Sequence, residues 1–179
     1  MPSLRKSIYH GKIIDVNIET ARMPDGRFVD LEVVRHPGGA AVVALDSTNN
    51  LCLLRQYRHA ADGWLWELPA GKLESGEAPR LTAERELAEE AGLSAGVWTS
   101  LGLLVSSPGV FSETVHLFMA RHLTEVEPHT ESHEYIEVHW VPLDEALDWV
   151  HSGRIVDGKT LAGLCRASAL LGRCAPGGS

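Results

Sequence analysis

GKLESGEAPRLTAERELAEEAGL, residues 71–93, carries six carboxylates, four of them between Glu84 and Glu90, and glycines fence it at both ends. Read as a helix, it gives Ala78, Leu81, Thr82, Leu87, Ala88 and Ala91 a narrow apolar stripe. Gly92 stands at the C′ position, where a left-handed residue ends a helix. Pro79 fits only in the first turn, which sets the helix start near Glu77. Glu86 and Glu90 then share a face, with Glu89 three positions from Glu86. Like charges at that spacing repel, and Arg85 offsets part of the repulsion by pairing with Glu89 at i+4. Two readings follow: a solvated acidic face, or a site for a hard divalent cation such as Mg²⁺, which takes carboxylates, waters and substrate phosphates as ligands.

Outward from this stretch, 179 residues with 44% hydrophobic content suit one domain with a sizeable core, and a small appendage besides. A net charge of -8 argues against binding nucleic acid backbone, though not against a phosphorylated small molecule held through cations. Cys52, Cys165 and Cys174 form no CxxC pair and are odd in number, so neither a disulfide framework nor a zinc site is indicated. That cysteine usage, with no apolar run of signal-peptide or membrane-span length, leads to the expectation of a cytoplasmic protein.

Residues 7–36 read as strands, with PDG as the turn between IIDVNIETAR and FVDLEVVRH. HPGG, at 36–39, marks the boundary of an N-terminal subdomain. AAVVAL (40–45) and LCLLRQYRH (51–59), separated by DSTNN, read as a second and more buried hairpin. Strand-like runs follow at 97–105, 114–121 and 135–141, then helices at 143–153 and 157–172, the second capped by Asp157. Mixed strands with few helices indicate an α+β fold. Trp64, Trp66, Trp98, Trp140 and Trp149 sit in apolar patterns and read as core or interface, Trp64 the least clearly. Nine histidines show no ligand spacing, although His129, His133 and His139 cluster.

The glycines decide between the two readings of the acidic stretch. Gly71, five residues, Glu77, seven residues, then Arg85-Glu86-Leu87-x-Glu89-Glu90-x-Gly92-Leu93 is a spaced pattern. Chance supplies such a match on the order of once in 10⁹ starting positions. The pattern resembles the Nudix box at every defining position. The resemblance implies an α/β/α sandwich with a mixed sheet, and hydrolysis of a nucleoside diphosphate linked to another group. It implies metal ligands at Glu86, Glu89, Glu90 and the backbone carbonyl of Ala70. Mg²⁺ is the expected cation, with Mn²⁺ or Zn²⁺ as alternatives. Arg85 and Glu77 would brace the loop.

Other segments resemble the ADP-ribose pyrophosphatase subgroup of that family: LLRQYR (53–58), WELPAGKLE (66–74), DGKTLAGL (157–164), and SSPGVFSE (106–113), which places Pro108 sixteen residues after Gly92. The subgroup implies that Arg58 contacts the diphosphate and Glu113 the ribose region. Glu134 would be the general base or an extra metal ligand, with Glu131 as its rival three residues away. Residues 1–38 would be an antiparallel β arm exchanged between two subunits, residues 39–179 the hydrolase domain. Tyr9 and Phe28 read as core or dimer-interface residues rather than adenine clamps. The expected reaction is Mg²⁺-dependent cleavage of ADP-ribose to AMP and ribose 5-phosphate by a homodimer. GDP-mannose or ADP-glucose are alternative substrates, and a non-catalytic nucleotide sensor is the rival class. A sensor tends to lose box carboxylates, and this chain has lost none.

Overall fold

In the computed structural model, which describes residues 5–128 and 135–172, the chain opens with three antiparallel strands. These are β1 (Arg5–His10), β2 (Asp15–Arg22) and β3 (Phe28–Arg35), paired in the order β1-β2-β3. The expected turn joins the last two. The N–H of Met23 donates to the Arg27 carbonyl at 2.7 Å, and Asp25 accepts from the Arg27 N–H at 3.1 Å.

Past the HPGG break, β4 (Gly39–Ala44) runs through the centre of the molecule with all six residues buried. Its apolar run is unbroken because helices cover both faces. Ala40, Val42 and Ala44 pack with Ala83 and Leu87 of α1 (Pro79–Ala91). Ala41 and Val43 pack with Leu143 and Ala146 of α2 (Leu143–His151) and Leu164 and Ala167 of α3 (Gly158–Leu170). Around β4 lie β7 (Ala70–Lys72) on one edge and β9 (Thr114–Glu125), then β8 (Leu93–Val105), on the other. The β4–β9 pair is parallel and its neighbours are antiparallel, so the sheet is mixed. A second, antiparallel sheet runs β10 (Ile136–Pro142), β5 (Asn50–Arg58), β6 (Gly63–Glu67). Helices on two faces of a mixed sheet, with a separate antiparallel β unit at the N-terminus, make the α+β sandwich expected from the sequence.

One expectation fails. Segments 40–45 and 51–59 are not hairpin partners. A single bridge, Leu45 to Leu51, joins them, and they then part into different sheets. The turn itself forms, with Asp46 accepting from the N–H groups of Thr48 and Asn50 and Asn49 at φ 62°. Both strands are apolar on both faces, however. Each takes two partners of its own and contributes to cores on either side, which a simple two-stranded ribbon would not allow.

Smaller differences concern the ends and faces of elements. Helix α1 starts at Pro79 with Ala78 as N-cap, and Gly92 ends it at φ 63°, as expected. Its buried face is Thr82, Ala83, Leu87 and Glu90, whereas Leu81, placed on the apolar stripe above, is exposed. Strand β8 begins directly after Gly92, earlier than the run at 97, and β9 continues to Glu125. Asp157 caps α3 by accepting from the Thr160 N–H at 3.0 Å. None of the tryptophans is fully buried: Trp66, Trp98 and Trp149 are partly covered, while Trp64 and Trp140 are exposed on the single chain. No helix among the described residues is long and apolar enough to cross a membrane.

Candidate functional site

A cavity of about 790 Å³ opens where α1, β7, the N-terminus of α3 and the β3–β4 junction meet. It is large enough for a nucleotide-sized ligand. The acidic stretch supplies one part of its wall, through Glu86, Glu89 and Glu90 together with Ala70 and Gly71. Glu90 is 5% exposed, and its carboxylate accepts from the Ala70 N–H at 2.8 Å. Gly71 is required by contact rather than by φ. A Cβ built there would stand 1.9 Å from Glu86 Oε1. The missing side chain lets the Glu86 carboxylate lie directly over the β7 backbone.

Arg85 organises these carboxylates. It donates through Nε and Nη2 to Glu77, through Nη1 to Glu86 at 2.6 Å and Glu89 at 3.1 Å, and through Nη2 to the Lys72 carbonyl. Arg85 and Glu77, expected to brace the loop, are thus in direct hydrogen-bond contact. Glu77 also accepts from Thr82 Oγ1 and the Glu74 N–H, so one carboxylate ties the 71–77 loop onto the first turn of α1. Arg85 holds the Glu77 carboxyl down to about 2, against an ordinary value of 4.5. The guanidinium is pushed the other way, above its usual range, chiefly by its hydrogen bond to Glu77.

Among the described residues, no three histidine, cysteine, aspartate or glutamate groups converge closely enough to form a ready cation cage. Arg85 draws Glu86 and Glu89 towards itself. The donor chemistry still fits a hard divalent ion, since every candidate ligand is an oxygen and the glycine cradle leaves the Glu86 carboxylate at the cavity surface.

A cationic wall meets the carboxylates. Arg58 lines the cavity and makes a two-point contact with Glu67, from Nε at 2.8 Å and Nη2 at 2.9 Å. Lys159, from the first turn of α3, contacts the same carboxylate and lies 3.1 Å from Asp157. Glu67 is only 1% exposed. Burial alone would raise its pKa, but the Arg58 and Lys159 partners outweigh burial and bring it to about 2. Arg58 is itself raised, first by its bond to Glu67, and the Glu90 charge adds to that.

Glu113 also lines the cavity, beside His36. His36 Nδ1 accepts from the Gly38 N–H at 3.1 Å, so the ring is neutral with its proton on Nε2. The 3.5 Å approach of Glu113 to that same nitrogen is then a close contact and not a salt bridge. Burial lowers the His36 pKa against the opposing pull of Glu113. Pro108 is exposed on the 106–113 loop and is not among the lining residues, although Ser106 and Glu113 of the same loop are. Glu134 and Glu131 lie outside the described residues, as do His129 and His133. Glu67, Lys159, His36 and Lys72 were not singled out from sequence. The available signal for Glu67 was a lone carboxylate inside the apolar WLWELP run.

Comparison with known proteins agrees with this geometry. A model of the NUDIX domain matches residues 35–162. The ADP-ribose pyrophosphatase of Bacillus subtilis (strain 168) is 39% identical over 158 residues, covering 87% of this chain and 85% of that protein. The ADP-ribose pyrophosphatase of Mycobacterium tuberculosis (strain ATCC 25618 / H37Rv) is 40% identical over 168 residues, covering 92% of this chain and 81% of that one. A solved ADP compounds hydrolase superposes with a TM-score of 0.79 over 97% of this chain and 98% of its own, at 20% identity, a likeness of fold alone.

Proposed function

This chain belongs to the NUDIX family, and from that premise we propose that it hydrolyses the diphosphate of ADP-ribose to AMP and ribose 5-phosphate. The observation that carries the reading is one cavity lined by the box carboxylates Glu86, Glu89 and Glu90 and by the cations Arg58 and Lys159. Carboxylates alone would repel a diphosphate, and cations alone would bind it without activating it.

Glu86, Glu89, Glu90 and the Ala70 carbonyl are the groups that would hold Mg²⁺. Bound there, the ion supplies Lewis-acid polarisation of the phosphorus and neutralises charge that develops in the transition state. The chain's own residues do the rest. Arg58 binds the diphosphate, Glu113 meets the ribose region, and Arg85 and Glu77 keep the loop and α1 in register. Water attacks one phosphorus, and the bond to the bridging oxygen breaks. The water's proton passes to a loop base, for which Glu134 is our choice. The arm formed by residues 1–38 is exchanged in a homodimer and helps close the adenosine end.

The test is a panel of ADP-ribose, ADP-glucose, GDP-mannose and a nucleoside triphosphate, with products resolved by chromatography, in Mg²⁺ and then in EDTA. ADP-ribose should be cleaved fastest, yield AMP and ribose 5-phosphate, and survive intact in EDTA. Faster cleavage of GDP-mannose or of the triphosphate would overturn the substrate assignment. No turnover of any member would leave the nucleotide-sensor class standing.

A further inference from the structure

Glu67 poses a question that the box does not answer. A carboxylate 1% exposed at the end of β6 binds two cations from two other elements, Arg58 at the end of β5 and Lys159 in the first turn of α3. The plain explanation is a buried ion pair that staples α3 to the second sheet. The staple, however, exists already without Glu67. The Leu68 N–H donates to Thr160 Oγ1 at 2.9 Å, and that hydroxyl donates to Asp157 at 2.6 Å. Gly163 lets Leu68 pack against α3, since a Cβ there would come within 2.7 Å of Leu68 Cδ1. Replacing a buried ion pair by apolar groups is often neutral for stability or better, so stapling does not require Glu67.

What the carboxylate adds is direction. Arg58 gives Nε and Nη2 to Glu67, which leaves Nη1 for a ligand. The Lys159 ammonium has three protons and two carboxylate partners, Glu67 and Asp157. Both residues line the cavity, and Arg58 feels the Glu90 charge, so the cationic wall adjoins the carboxylates of α1. Two cations and two carboxylates make this quartet neutral overall. It presents aimed donors rather than a diffuse positive field, and aimed donors suit a diphosphate held in one orientation.

We infer that Glu67 is a positioning residue that fixes Arg58 and Lys159 as a paired clamp, and that Lys159 is a further residue binding the substrate's diphosphate. This rests on the diphosphate hydrolase reading above, and the probe is chosen so that the two can fail separately. Inorganic pyrophosphate with Mg²⁺ is titrated calorimetrically into the full-length protein, into Lys159→Met, which keeps the apolar stem, and into Glu67→Gln. Thermal midpoints are measured alongside.

A charge-assisted hydrogen bond lost from the complex should weaken pyrophosphate binding roughly tenfold or more in Lys159→Met, at a temperature below a midpoint that falls because Glu67 has lost one of its two partners. Glu67→Gln should show a loss of the same order. The double variant should be little worse than either single one, because the two act through one arrangement. Unchanged pyrophosphate affinity in Lys159→Met overturns the clamp, and so does a parent protein that does not bind pyrophosphate. Should Glu67→Gln fail to fold, Lys159→Met decides the matter alone. If pyrophosphate binding falls as expected while the parent does not cleave ADP-ribose, the clamp stands and the substrate assignment is what failed.

Discussion

Gly71 shows how closely the site is fitted at the level of single atoms. The nearest approach of a Cβ there, 1.9 Å from Glu86 Oε1, is far inside any real contact. Gly71→Ala must therefore push the Glu86 carboxylate, or the β7 backbone, by an ångström or more. Displacements of that size at a reacting centre lower rates about 10²-fold. Steady-state kinetics on Gly71→Ala should show such a fall in kcat/KM, and full activity would mean that the Glu86 carboxylate is not needed where it lies. Glu86→Gln should abolish turnover more completely while the thermal midpoint moves little, because Arg85 keeps Glu77 and Glu89 as partners. A Glu86→Gln protein with most of its activity at saturating Mg²⁺ would remove this residue from the ligand set.

At the level of elements, α1 and its preceding loop were the most legible part of the chain. A box motif fixes residue types at fixed offsets, and a helix turns offsets into faces, so Glu86, Glu89 and Glu90 could be placed together before any coordinates. The bracing of Arg85 by Glu77 has the same origin. Less legible was the pairing of strands. Apolar runs 40–45 and 51–59 announce burial but not which sheet they join, and the single Leu45–Leu51 bridge could not be foreseen. Nor could the pairing of Lys159 with Glu67, which spans 92 residues of sequence; the lone carboxylate in an apolar run marks Glu67 but not its partner. Two ion-paired carboxylates predict acid lability. Glu77 and Glu67 both titrate near 2 in the folded protein against an ordinary 4.5. Depressed values stabilise the fold above the unfolded pKa, and that contribution is lost as pH falls through the folded one. The thermal midpoint should therefore hold at and above pH 5 and drop steeply between about 4.5 and 2. Glu77→Gln should flatten part of that drop, and an unchanged profile would show that the Glu77–Arg85 pair contributes no such linkage.

At the scale of the whole molecule, the sheet of β1, β2 and β3 has the polarity of a surface turned inside out. Asn17 and Glu19 are among its buried residues, while Ile8, Tyr9 and Leu31 are exposed and Phe28 is 65% exposed. The Asn17 side-chain amide nitrogen is buried with no hydrogen-bond partner among the described residues. The sheet is tied to the rest of the chain through short contacts at Val34, whose N–H donates to the Val110 carbonyl and whose carbonyl accepts from the Ser112 N–H. Three strands with so little apolar cover do not stand as an independent unit. Tyr9 and Phe28 are thus not core residues of the single chain, and the remaining expectation for them is an interface. A second copy is the economical partner, because two such sheets exchanged about a twofold axis would cover each other's apolar side chains with the same residues. Ile13, in the loop after β1, already lines the cavity of its own chain, so the arm reaches the site before any exchange. Light scattering should therefore report a dimer at working concentration. Phe28→Glu should shift it towards monomer and reduce kcat/KM for ADP-ribose, while pyrophosphate binding, assigned above to Arg58 and Lys159 of other elements, should change less. A monomer with full activity would refute the exchange. A Phe28→Glu protein that stays dimeric would place the interface on another face, for which the exposed Trp64 and Trp140 of the second sheet are the next residues to substitute.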